Sequence, residues 1–202
     1  MRSIAYSCMI VAVIFVSAQN INAEVLAIAN SYSGGGYKWA GSGTPKSLFF
    51  KKNRLLGKSP QGTYCSGYTF TVAFDAMLKK GLLDDFSFKQ VQWLQRNWYG
   101  TNKACAETQC VYAMKELGLG SAIAKEEAQA GDFVQFWRNN KSGHSVIFLN
   151  WVRDSAGRIT GIKYRSTQRA TNGIGSREEK MGKGPKDINP NRIYVGRLNS
   201  QR

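Results

Sequence analysis

The chain has 202 residues, 43% hydrophobic and 12% aromatic, a globular rather than disordered composition with enough material for one domain and its core. Its 28 Lys and Arg against 13 Asp and Glu give a net charge of +15, which draws an accessible surface toward anionic polymers or lipid head groups. The basic residues are dispersed and match no nucleic-acid-binding module, so nucleic acid is not an expected partner.

Residues 1–23 read as a secretory signal. Arg2 gives a thin charged start, an apolar run follows from Met9 to Val16, and small or polar residues then offer cleavage after Ala18 or Ala23. The run is well short of the ~20 residues a spanning helix needs, and no later stretch could span a bilayer. The expectation is an exported protein, periplasmic or extracellular, with no stable membrane anchor after cleavage. Its single domain would occupy residues 24–202, act as a monomer, and carry about +14 once Arg2 is lost.

Glu24 to Asn30 reads as a short helix or extended lead-in. A glycine- and aromatic-rich loop follows, SYSGGGYKWAGSGTP, presenting Tyr37 and Trp39. Ser47 to Ser59 is basic and irregular. Gln61 to Gly81, QGTYCSGYTFTVAFDAMLKKG, then places Cys65 in a turn between Gly62 and Gly67, directly before an amphipathic helix. Phe70, Ala73, Phe74, Met77 and Leu78 recur at helical spacing, and Gly81 supplies the stop. A cysteine at a helix N-terminus meets unpaired N–H groups and the positive end of the dipole. Both favour the thiolate, the nucleophilic form.

A second helix is expected over Asp84 to Tyr99, with Phe88, Val91, Leu94 and Trp98 on one face, and a third from about Thr108 to Leu117. Ala122 to Ala130 reads as a polar connector. At Gly131 the period changes to two: GDFVQFWR, HSVIFLNWV and ITGIKYRSTQ read as strands, then a glycine-rich segment, then a last strand RIYVGRL. Helices first and an antiparallel meander after them predict an α+β fold with the helices packed on one side of the sheet.

Without Cys8, the mature chain keeps Cys65, Cys105 and Cys110. Only four residues separate the last two, close enough for a disulfide if the turn brings their Cα atoms within ~7 Å, and that pairing leaves Cys65 free. Three cysteines and one histidine at these intervals match no common zinc spacing, so neither metal nor organic cofactor is expected. His144, the only histidine, stands at a strand start after a glycine turn. It can take the thiol proton, with a third polar group fixing its tautomer. On the following strand Ile162, Tyr164, Ser166 and Gln168 share one face; Ser166 or Gln168 could accept the imidazole N–H, and Ser166 is the preferred of the two.

The segments YKWAGSGTP, GTYCSGYTF and GDFVQFWRNNKSGHSVIFL, in that order, resemble the NlpC/P60 and CHAP cysteine peptidases and amidases over roughly Tyr37 to Gln168. The resemblance implies a papain-like fold and hydrolysis of amide bonds in peptidoglycan peptides. It places the nucleophile at Cys65 and the base at His144, with Tyr37, Tyr64 and Ser66 near the substrate. Tyr64 stands where the family commonly has aspartate, and no second histidine is present to orient the first. Two other readings share the residues. One is acyl transfer or hydrolysis on lipids, although lipid-acting relatives usually carry histidine before cysteine. The other is a non-catalytic cationic module that binds anionic wall.

Overall fold

The structure is a computed structural model and describes residues 21–201. Most of the expected signal segment therefore lies outside the described residues. Helix α1 (Ile21–Asn30) packs Ile21, Val25 and Ala29 into the core at helical spacing. The Asn22 amide donates to Asp132 at 2.8 Å, and Arg197 holds both oxygens of that same buried carboxylate at 2.8 Å. Cleavage after Ala23 would remove Ile21 and Asn22 from this packing; cleavage after Ala18 leaves α1 whole.

A two-residue strand β1 (Gly34–Gly35) and a hairpin, β2 (Leu48–Phe50) with β3 (Asn53–Leu56), precede the cysteine helix. The hairpin lies where the sequence reads as irregular. Its strands are too short for alternation to register, although Leu48 and Phe50 are buried and Phe49 between them is exposed.

Helix α2 (Cys65–Lys79) is the centre of the molecule. Phe70, Ala73, Phe74 and Met77 are buried as their spacing predicts, but Tyr68, Thr69, Thr71 and Val72 are buried too, and Leu78 is exposed. Helix α3 (Phe88–Trp98) opens on a capping box between Ser87 and Gln90 and buries Val91, Leu94 and Trp98, whose indole N–H donates to Thr69 of α2. Helix α4 (Cys110–Glu116) is shorter than the expected span and buries Cys110, Ala113 and Met114.

The remaining strands, β4 (Gly120–Ile123), β5 (Phe133–Arg138), β6 (Gly143–Arg153), β7 (Ile159–Gln168), β8 (Gly173–Lys180) and β9 (Ile188–Leu198), join β1 in a seven-stranded antiparallel sheet of order β1-β8-β7-β6-β5-β9-β4. The architecture is α+β. The meander β5-β6-β7 forms as expected and continues into β8, which the sequence reading assigns to the glycine-rich segment. β9 does not extend that meander: it crosses to the far side of β5. Alternation divides the sheet between two cores. Phe133 and Ile147 face the helices, while Val134, Phe136, Val146, Phe148 and Tyr164 pack on the opposite face.

Candidate functional site

Cys65 is the first residue of α2, preceded by extended Tyr64, whose side chain makes no capping bond. The leading N–H groups of this helix therefore lack a side-chain cap. The turn is held from outside. Gly43 O accepts from Tyr64 N at 3.3 Å, Gly41 O from the Tyr64 hydroxyl at 3.1 Å, and Ser42 O from the Tyr99 hydroxyl at 2.7 Å. This loop comes so close that a Cβ on Gly67 would stand 2.3 Å from the Gly43 carbonyl carbon. Glycine two residues after Cys65 is thus a condition of the loop's position.

Tyr37 bridges Thr63 in parallel fashion, and the 169–172 turn joins the same rim through Gly36 N to Asn172 O at 3.1 Å. A surface cavity of about 400 Å³ opens beside this rim, lined by Tyr32, Gly62 and Thr63 among others. Neither Cys65 nor His144 lines it.

His144 pairs with Phe136 across β5 and β6, and its ring lies in edge-to-face contact with Phe136 and Tyr164 at 5.6 and 5.5 Å. Half-buried Cys65 is subject to opposed influences. Burial pushes its thiol up; the charge of His144, a hydrogen bond with it, the Ser145 backbone N–H and the Ser66 hydroxyl outweigh burial and bring it down to about 7. The Ser66 hydroxyl lies 3.9 Å from the sulfur. Tyr64 and Tyr37 are also close, since the Cys65 charge helps raise both phenols, after burial as the larger cause. Cys65, His144, Tyr37, Tyr64 and Ser66 are therefore brought together, by α2, β6 and two loops.

Ser166 is not part of this contact set. It is fully buried and its hydroxyl donates to the Ser145 carbonyl at 2.7 Å, so it braces β6 against β7 rather than meeting the imidazole. Gln168 differs. Continuing the Ile147–Arg165 register by three residues brings it opposite His144. Its Nε2 donates to Thr171 at 2.6 Å, while its buried Oε1 and the buried Nε2 of His144 each have no partner.

The Cys105–Cys110 disulfide is not formed; both thiols are free and buried. The turn between them is closed by backbone, Gln109 N to Cys105 O at 2.7 Å, and Cys105 Sγ donates to Asn102 O. Burial pushes the Cys110 thiol up to about 12, the largest of several influences on it, which leaves it inert at neutral pH.

Three residues not singled out by sequence stand behind His144. Glu179 on β8 is held by Arg138 at two 2.8 Å contacts and accepts from the Tyr164 hydroxyl at 2.5 Å. Tyr164 shares the Ser166 face by alternation and was open to discovery from spacing. Glu179 falls in a segment without a strand signal. Among the described residues, no group of three or more His, Cys, Asp or Glu side chains could hold a metal ion, and no helix is long and apolar enough to cross a membrane. No protein-family model, curated protein or solved structure matches the chain.

Proposed function

We propose that the chain is an exported cysteine hydrolase of papain-like fold that cleaves amide bonds in peptidoglycan peptides, in keeping with its resemblance to the NlpC/P60 and CHAP proteins. One observation carries the reading: a free thiol at an uncapped helix start, held near 7 by the only histidine in the protein. A buried structural cysteine would be pushed the other way, as Cys110 is.

The mechanism follows from the placement. The Cys65 thiolate adds to the amide carbonyl carbon, and N–H groups at the start of α2 receive the developing oxyanion. Protonated His144 gives its proton to the leaving amine nitrogen as the C–N bond breaks. Neutral His144 then takes a proton from water, whose oxygen attacks the thioester, and the thiolate departs. Gln168 is the proposed orienter in place of Ser166, its free Oε1 accepting from the imidazole Nε2–H. Tyr37, Tyr64 and Ser66 line the approach.

Charge supports the polymeric substrate. Between Glu24 and Asp75 there is no acidic residue, while Lys38, Lys46, Lys51, Lys52, Arg54 and Lys58 are all exposed. Carboxylate-rich stem peptides complement such a surface.

The test is incubation of mature protein and a Cys65→Ala variant with purified peptidoglycan, with released muropeptides read by mass spectrometry. Defined fragments from the parent and none from C65A are expected. No fragments from either, with the protein still sedimenting with the wall, would sink the hydrolase reading in favour of a binding module.

A further inference from the structure

The ion pair behind His144 needs a reason. Arg138 and Glu179 have side chains only 18% and 8% exposed, and a pair this dry contributes little to stability compared with apolar residues of the same volume. Its surroundings suggest another use. The imidazole packs against the rings of Phe136 and Tyr164, at 5.6 and 5.5 Å, and those two rings meet each other at 5.8 Å, so the three form a closed triangle. Each ring is in turn held by one member of the pair: Arg138 lies over Phe136 with Cζ 5.2 Å from the centroid, and the Tyr164 hydroxyl is bonded to Glu179. Two aromatic rings within ~6 Å also suit a cation, and the imidazolium is the form of His144 that the proposed mechanism pairs with the Cys65 thiolate.

We propose that Glu179, fixed by Arg138 and Tyr164, is a second positioning residue for His144 beside Gln168: it locks the ring that flanks the imidazole and balances the imidazolium charge opposite the Cys65 thiolate. The charged and titratable groups around it are Cys65 from α2, Tyr37 and Tyr64 from the loops before α2, Arg138 from β5, Tyr164 from β7, Arg169 from the turn after β7, and Glu179 with Arg177 from β8, the last standing 3.8 Å from Glu179. Glu179 does not touch substrate. It acts through Tyr164 and through the field at His144.

This inference rests on the Cys65–His144 pairing but not on the substrate, so it can fail independently of the muropeptide result. His144 is the only histidine, so its imidazole signals in a nuclear magnetic resonance titration are unambiguous. Glu179→Gln preserves shape, removes an anion and leaves Arg138 uncompensated, both of which disfavour the imidazolium. Arg138→Met removes a cation and does the opposite. Relative to the parent, the His144 midpoint is expected to fall in E179Q and rise in R138M, each by on the order of one pH unit. A purely architectural pair predicts unmoved midpoints, or shifts in the same direction as the ring loosens; either result overturns the proposal. Should E179Q fail to fold, R138M alone decides it, since an unmoved or lowered midpoint has the wrong sign.

Discussion

At Cys65, burial and a neighbouring imidazole pull in opposite directions, and the imidazole prevails. Alkylation by iodoacetamide should therefore follow a midpoint near pH 7 in the folded protein and label Cys65 alone, because Cys105 and Cys110 are both buried and Cys110 is pushed up to about 12. In His144→Ala only the Ser145 N–H and the Ser66 hydroxyl still oppose burial, and the midpoint should rise well above 7; a midpoint that stays near 7 would disprove His144 as the cause. The sign for stability is fixed too. A depressed thiol stabilises the fold fully above pH ~9 and loses that contribution as pH falls through about 7. Cys65 and His144 were legible in the sequence because each sits at a local signal, a glycine turn before a helix or a strand. Ser166 was misplaced because alternation assigns a face, not a bonding partner, and the Ser145 carbonyl was nearer. Glu179 was invisible, since its role depends on β8 being a strand.

Among the elements, α2 depends on one close approach. In Gly67→Ala the new Cβ meets backbone at Gly43 rather than a flexible side chain, so the 41–44 loop must move. Overpacking of this kind costs about 1–3 kcal/mol, which lowers the melting temperature by roughly 2–12 °C in a chain of this size. The proposed turnover of peptidoglycan should fall further than stability does, because the displaced loop holds Tyr64. A variant with unchanged melting and turnover would show the loop to be free to yield. Strong helical periodicity made α2 and α3 readable, and alternation with clear turns did the same for β5, β6 and β7. β4 and β8 were missed for a shared reason: they lie on the flanks of the sheet, bury few residues, and gain their order from the neighbour they pair with. The long step by which β9 reaches β5 and β4 is likewise a tertiary choice with no local mark.

For the whole molecule, the acid-free stretch from Val25 to Phe74 contributes six positive charges, unopposed within it, to a long-range field set by a net charge of +15. Sedimentation with peptidoglycan should weaken steeply between low and physiological salt, where the screening length shortens to ~8 Å. Cleavage of a short soluble stem peptide should change much less, and equal salt dependence for both would argue against polymer capture by charge. The sheet has its own consequence for assembly. Its flanks end in β1, two glycines long, and β4, four residues long, neither of which offers a useful template to a strand from another copy. β1 covers only Gly173 and Ile174, and beyond it the open border of β8 reads Ser-Arg-Glu-Glu-Lys. Charged side chains there discourage edge-to-edge accretion, so the border that carries Glu179 also helps keep a concentrated chain from growing into fibres.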